Sequence, residues 1–251
     1  MRYLMIALLC LAYSASALSD VFTVRSDEWP PYNTTADAEQ PGYVIEILQA
    51  ALEPHGYTVD YQTMPWNRSL DSVRNGDFHA VVGAFVSDAP DFVFPEESVG
   101  TAGSTFYTLP SSDWSYDGVD SIANIRLGYL ADYAYTDSID EYLEEHGDNH
   151  QRMAADGGLA NLIRMLMGGR IDAVIEDESV MQATLLSMGI SADSLRHAGA
   201  AGEPEPIYAA LSPAREESAE LAEKISQGIR EMREDGRLEA ILERYGVEKW
   251  W

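Results

Sequence analysis

The sequence predicts an α/β protein of two similar lobes, each a mostly parallel sheet flanked by helices. Three observations carry that expectation. First, one phrase occurs twice: Gly76-Asp77-Phe78-His79-Ala80-Val81-Val82-Gly83-Ala84 reads against Gly169-Arg170-Ile171-Asp172-Ala173-Val174-Ile175-Glu176-Asp177, 93 residues later. Each copy follows a helical pattern and turns into a short apolar strand. Second, residues 21–84 alternate strand and helix patterns in the order β–α–β–α–β, the order of an open parallel sheet. Third, two breaks rich in Pro, Gly, Ser and acidic residues, at 108–120 and 202–206, bracket the middle of the chain. The bracketed block reads as an inserted lobe, so the chain crosses between lobes twice, and two crossings make a hinge. The doubled phrase alone is also ordinary helix–Gly–strand punctuation.

The elements follow in order. Residues 21–26 alternate as an opening strand. Trp29-Pro30-Pro31-Tyr32 must then be extended or turning, because a residue before proline avoids the helical region. After Gly42, Ile45, Leu48 and Leu52 have helical spacing, and Pro54-His55-Gly56 ends that helix. Residues 57–61 read as a second strand, 68–73 as a helix stopped by Asn75-Gly76, and the first copy of the phrase as the third strand. In the middle block, residues 125–129 read as a strand and 136–145 as a helix stopped by Gly147. Leu159, Leu162, Ile163 and Leu166 fall at i, i+3, i+4 and i+7, giving a helix with one apolar face. The second copy of the phrase and a helix over 179–188 complete the block. Residues 207–211 form a returning strand, Pro213 opens a long amphipathic helix from about 216 to 232, Asp235-Gly236 breaks it, and a last helix covers 238–245. The expected organisation is 18–109 with 206–251 as one lobe and 110–205 as the other.

The first 17 residues are set apart. Met1-Arg2-Tyr3, an apolar run over 4–12 and the small residues Ala15-Ser16-Ala17 have the form of a secretory signal peptide cleaved near Ala17. The run is too short to span a bilayer, which takes about 20 residues. Cys10 would serve a lipoprotein signal, but the bulky Leu9 precedes it where a small residue is wanted. Cys10 is the only cysteine, so the exported chain has no disulfide or thiolate chemistry. A periplasmic location follows.

The chain carries 42 acidic residues against 16 Lys and Arg, a formal charge of −26. Such a chain repels nucleic acid and anionic membrane surfaces. The acidic residues are scattered, as a solubilising surface requires; attraction of cations is the functional alternative. A phosphate loop, a His-Glu-x-x-His zinc motif and a Gly-x-Ser-x-Gly elbow are all absent. His146 and His150 stand at i, i+4, but Gly147 lies between them in a polar stretch. No metal or cofactor is expected. Ligands of parallel α/β sheets bind beyond the carboxyl ends of the strands, which makes Gly83, Ala84, Glu176 and Asp177 candidate cleft residues.

The chain resembles the extracellular solute-binding proteins of family 3, the polar amino-acid group that serves ABC importers. The matching pieces are Trp29-Pro30-Pro31-Tyr32; Gly42-Tyr43; Gly76-Asp77; Gly169-Arg170-Ile171-Asp172-Ala173-Val174-Ile175 followed by Asp177; and Asp235-Gly236-Arg237-Leu238 leading to Arg244-Tyr245-Gly246. The resemblance implies a two-lobed periplasmic binding protein type II fold with a solute held in the interlobe cleft. It places Trp29 and Tyr32 at the family's aromatic clamp, where stacking or cation–π contact holds the solute; ordinary packing around a Pro-Pro turn is the other reading. It places Asp177 where the family's aspartate takes the ligand ammonium, against the alternative of a solvated surface acid.

The chain departs from that pattern in two places. The stretch after the third strand, Phe85-Val86-Ser87-Asp88-Ala89-Pro90-Asp91, lacks the arginine that forks onto an amino acid's carboxylate. Arg68, two residues after Trp66 near a helix start, is a candidate replacement or a surface ion pair; Trp66 is a pocket wall or interlobe packing. In the second lobe, Gly128-Tyr129-Leu130-Ala131-Asp132-Tyr133-Ala134-Tyr135 stands where the family has a Gly-Ser/Thr-rich turn, putting Tyr129 and Asp132 among the candidates. A cationic or neutral solute, polyamine-like or betaine-like, stays open beside an amino-acid-like one. The implied function is capture of a small polar solute by a monomeric protein that presents it to an ABC permease. The alternatives are a sensing module for a membrane receptor, or a dehydratase-like enzyme using Glu176 and Asp177. Adjacent strand residues point to opposite faces, which weighs against the last.

Overall fold

The structure is a computed structural model that describes residues 20–131, 133–154 and 157–251. The expected signal peptide and Asp132 lie outside the described residues. The first stretch runs β1 (Asp20–Ser26), α1 (Tyr43–Leu52), β2 (Tyr57–Thr63), α2 (Trp66–Arg74), β3 (Ala80–Ala84), β4 (Gly100–Ala102) and β5 (Thr105–Thr108). The middle follows with β6 (Leu127–Leu130), α3 (Asp137–His146), β7 (Gln151–Met153), α4 (Gly158–Met167), β8 (Ala173–Glu176), α5 (Glu178–Ser187) and β9 (Arg196–Ala200). Then come β10 (Glu205–Leu211), α6 (Ser218–Asp235) and α7 (Arg237–Tyr245).

The strands form two sheets of five, ordered β2-β1-β3-β10-β4 and β7-β6-β8-β5-β9. In the first, β1 is parallel to β2 and β3, while β10 runs antiparallel to β3 and β4. In the second, β6 is parallel to β7 and β8, while β5 runs antiparallel to β8 and β9. The two copies of the doubled phrase end in β3 and β8, which hold the same central place in their sheets. Both are buried along most of their length, as parallel strands covered on both faces must be.

The first crossing differs from the expectation at 109/110. β5 pairs with β8 and β9, so the chain leaves the first sheet after Ala102. All four residues of β5 are buried, so it lacks the alternation that would have marked it as a strand. The polar break at 108–120 is instead a loop within the second lobe. The return crossing lies between Ala200 and Glu205. The two crossings run side by side: Ala201 N donates to Ser104 O (2.7 Å), between the pairs Glu205–Ala102 and Thr105–Ala200.

Helix α1 carries the first core. Ile45, Ile47, Leu48 and Leu52 are at most 1% exposed, and burial of each contributes about 1.5–3 kcal/mol. Its start is fixed by the Pro-Pro turn: Tyr43 N donates to Pro31 O (3.1 Å) and Val44 N to Tyr32 O (3.0 Å), which satisfies two amides that a helix N-terminus leaves free. Gly42 permits this approach. Its φ is +106°, and a Cβ there would fall 2.3 Å from Asn33 Cα and Tyr32 O. The second lobe packs Phe106, Ile122, Leu127, Ile139 and Ile175 into a separate core. The four apolar residues of α4 picked out by their spacing are all buried.

Candidate functional site

A short turn at the carboxyl end of β1 presents the main aromatic of the cleft. Trp29 and Asn33 close it with two backbone bonds, Trp29 N to Asn33 O (2.9 Å) and Asn33 N to Trp29 O (3.2 Å). Asn33 is fully buried, and its Nδ2 donates to the Tyr61 hydroxyl (2.9 Å). Within this turn the Trp29 and Tyr32 rings stack, centroids 4.1 Å apart and planes 21° from parallel. The Trp29 ring lies against β3 at Gly83, where a Cβ would be 3.1 Å from the indole and φ is +79°. A side chain there would be strained and would push the ring away.

Trp29 borders a cavity of about 590 Å³ between the lobes. The first lobe contributes Asp27, Glu28 and Trp66; the second contributes Tyr133, Glu176 and the start of α4. A recess of about 60 Å³ adjoins it, sharing Asp27, Trp29, Trp66 and Tyr133 and adding Gly83 and Asp88. Among the described residues, no lysine, arginine or histidine lines either space.

The acids of this cleft are perturbed. Burial pushes the Glu176 carboxyl up to about 8; the Asp177 amide opposes this, the Asp177 charge adds to it, and the Trp29 indole opposes it. Burial pushes Asp27 up to about 6 against its own amide and the Tyr133 hydroxyl, with Glu28 adding to the rise. Tyr133 in turn is raised by burial and by Asp27 and Glu176. Glu176 is 2% exposed; its Oε1 accepts from Asp177 N (2.9 Å), while Oε2 has no hydrogen-bond partner among the described residues. Trp29 Nε1 also lacks one. The indole is near enough to favour the carboxylate's charge, but the pair falls short of hydrogen-bond geometry.

Trp29 and Trp66 line the cavity, and Gly83 lines the recess. The other expected site residues among those described lie elsewhere. Tyr32 backs Trp29 at 1% exposure and donates its hydroxyl to Thr101 O (2.9 Å). Ala84 is fully buried, packed with Leu70 and Val73, because it faces the opposite side of β3 from Gly83. Tyr129 turns into the second lobe's core with its hydroxyl against Gly147. Arg68 is exposed on α2 and lines neither space.

Asp177 is occupied by structure. It caps α5, Oδ1 accepting from Ser179 N (2.9 Å) and Val180 N (3.2 Å), and its Oδ2 accepts from Gly103 N (3.0 Å) in the first crossing. Its neighbour Glu176 is the one that faces the cavity. Asp27, Glu28 and Tyr133 were not among the expected site residues, whereas Glu176 was named with Asp177 as a candidate cleft residue by the strand-end rule. Asp27 and Glu28 directly follow β1, so the strand-end rule that selected Gly83 would have found them. Tyr133 lies in the stretch that stands for the family's Gly-Ser/Thr turn, but no rule of position singled it out from its neighbours there.

Two sheets of this order, joined by paired crossings around one cleft, make the periplasmic binding protein type II fold, and the chain has it. No model of a known protein family matches the sequence. It is 20% identical over 205 residues, 81% of its length and 72% of the relative's, to the L-cystine-binding protein TcyA of Bacillus subtilis (strain 168). Its structure is similar to one described for glutathione import via GshT and the cystine ABC importer TcyBC of Streptococcus mutans, with a TM-score of 0.74 and 16% identity over 91% of this chain and 96% of that one. It is also similar to a histidine kinase sensor domain resembling periplasmic binding proteins, with a TM-score of 0.70 and 19% identity over 91% and 96% of the two chains. These likenesses bear out the resemblance to the solute-binding proteins of family 3 and the fold that it implied.

Proposed function

We propose that the chain is an extracytoplasmic solute-binding protein that closes its lobes on a small polar solute and presents it to an ABC importer. One observation carries this reading: a single cavity of about 590 Å³, walled by aromatic and acidic side chains from both lobes, lies between them beside a two-crossing hinge. That volume suits a small molecule. A solute touching both walls stabilises the closed arrangement, which a membrane partner can read. The relatives that bind cystine or assist glutathione import support the importer role. A periplasmic location rests on the expected signal peptide. The likeness to a kinase sensor domain favours a second reading, in which the closed state is read by a membrane receptor. Neither reading requires catalysis.

A thermal-shift screen of the ligand-stripped exported protein tests this, with amino acids, dicarboxylates, amines, betaines and small sugars as the panel. At least one compound is expected to stabilise the fold, by about 4 kcal/mol at 1,000 times its dissociation constant. Trp29→Ala is expected to diminish that shift while the variant stays folded. A panel without any stabilising compound counts against the reading.

A further inference from the structure

We infer that the solute is an organic cation whose ammonium or guanidinium group docks on Glu176, with Asp27 facing it from the other lobe, and that the site requires no carboxylate on the solute. This rests on the solute-binding reading and names the class of compound that the cleft takes.

The charges that line the cavity decide between a cation and an amino acid. Asp27, Glu28 and Glu176 are full negative charges when ionised, and no basic side chain among the described residues lines the cavity with them. Two helix ends do open on the cavity: the start of α2 at Trp66 and Asn67, and the start of α4 after Gly157, neither with a side-chain cap. Each helix terminus offers about half a positive charge. Together they amount to about one unit, against three carboxylates. Once Asp27 and Glu176 are ionised, at about pH 8 and above, a solute carboxylate would therefore enter a space whose full charges are all of its own sign.

A cation meets the opposite situation. Glu176 Oε2 is buried at the cavity wall without a hydrogen-bond partner among the described residues, a costly state that a donor from the solute would relieve. Trp29, Trp66 and Tyr133 surround the same space, and aromatic rings attract cations. The carboxylates also come from both lobes, Asp27 and Glu28 from one and Glu176 from the other. Ionised and unpaired, they repel one another across the cleft. A cation between them converts that repulsion into attraction, so the solute itself draws the lobes together.

Calorimetric titration of the ligand-stripped protein at pH 8 with matched pairs tests this: cadaverine against L-lysine, and agmatine against L-arginine, each pair differing by one carboxylate. At least one amine is expected to bind no less than tenfold tighter than its parent amino acid. Glu176→Gln is expected to weaken that amine about tenfold or more, the range of a charge-assisted hydrogen bond, with Asp27→Asn weakening it in the same direction. Equal or tighter binding of the amino acids overturns the inference and leaves the solute-binding reading intact. So does an amine whose affinity survives both substitutions, or a neutral or anionic solute from the thermal-shift panel binding where the amines do not. If nothing in either panel binds, both fall.

Discussion

Glu176 and Asp177 are neighbours with separate work. The cap on α5 and the bond to Gly103 hold Asp177 in the framework, and the strand's alternation turns Glu176 to the cleft. Burial of Glu176 has a consequence for stability. Its folded value is about 8 against 4.5 when unfolded. The folded state therefore holds its proton more tightly, a contribution that is full below 4.5 and lost as pH rises through about 8. Asp27 acts in the same direction at lower pH, between 3.8 and about 6. Other groups titrate as well, so the difference from Glu176→Gln isolates the effect. Asp177, Trp29, Tyr133 and Tyr135 face this carboxylate and are unchanged in that variant. The variant is expected to gain stability relative to the native protein as pH rises from 5 to 8 in chemical denaturation; a constant difference contradicts the burial argument. At this scale the sequence was legible where a rule of position applied: Trp29, Trp66 and Gly83 came from motif and strand end. It was illegible where side-chain direction decides, as at Ala84 and Tyr129, whose backbone placement is right but whose side chains turn into cores.

Among the elements, the long ones were legible, and the short ones only where a motif or neighbouring pattern marked them, as at β3, β6 and β8. Helices α1, α4 and α6 carry enough periodic apolar residues to declare themselves, and β3 and β8 were marked by the doubled phrase. Strands β4, β5, β7 and β9 have three to five residues each, too few for alternation to show. Missing β5 moved the first crossing by several residues, because a hinge is defined by which sheet each strand joins and that is a non-local fact. The element that links site to hinge is the start of α5. Asp177 caps that helix and holds Gly103 in the crossing, while Tyr32, behind Trp29, bonds to Thr101 of β4, just ahead of it. Asp177→Ala removes the cap and the crossing bond together. It is expected to lower stability by about 2 kcal/mol, measured by denaturant unfolding. A change below about 0.5 kcal/mol would mean that Asp177 holds neither element.

At the scale of the whole molecule, two lobes of one strand order share a cleft and a paired crossing. The structure places Asp27 near the Tyr133 hydroxyl across that cleft and leaves Glu176 Oε2 without a hydrogen-bond partner among the described residues. A protein of formal charge −26 carrying three of its acids on one cavity gains from a bound cation at every distance, more at low salt. The two-lobed plan was legible in the sequence because each lobe repeats the other. The charge of the cavity was not, because its acids come from two distant places in the chain, residues 27–28 and 176. In the proposed function, a solute held between the lobes drives their closure. Small-angle X-ray scattering of the ligand-stripped protein, with and without the most stabilising compound of the screen, tests it most directly. The radius of gyration is expected to fall when the compound is added; binding with an unchanged radius would place the solute outside the cleft and contradict the account.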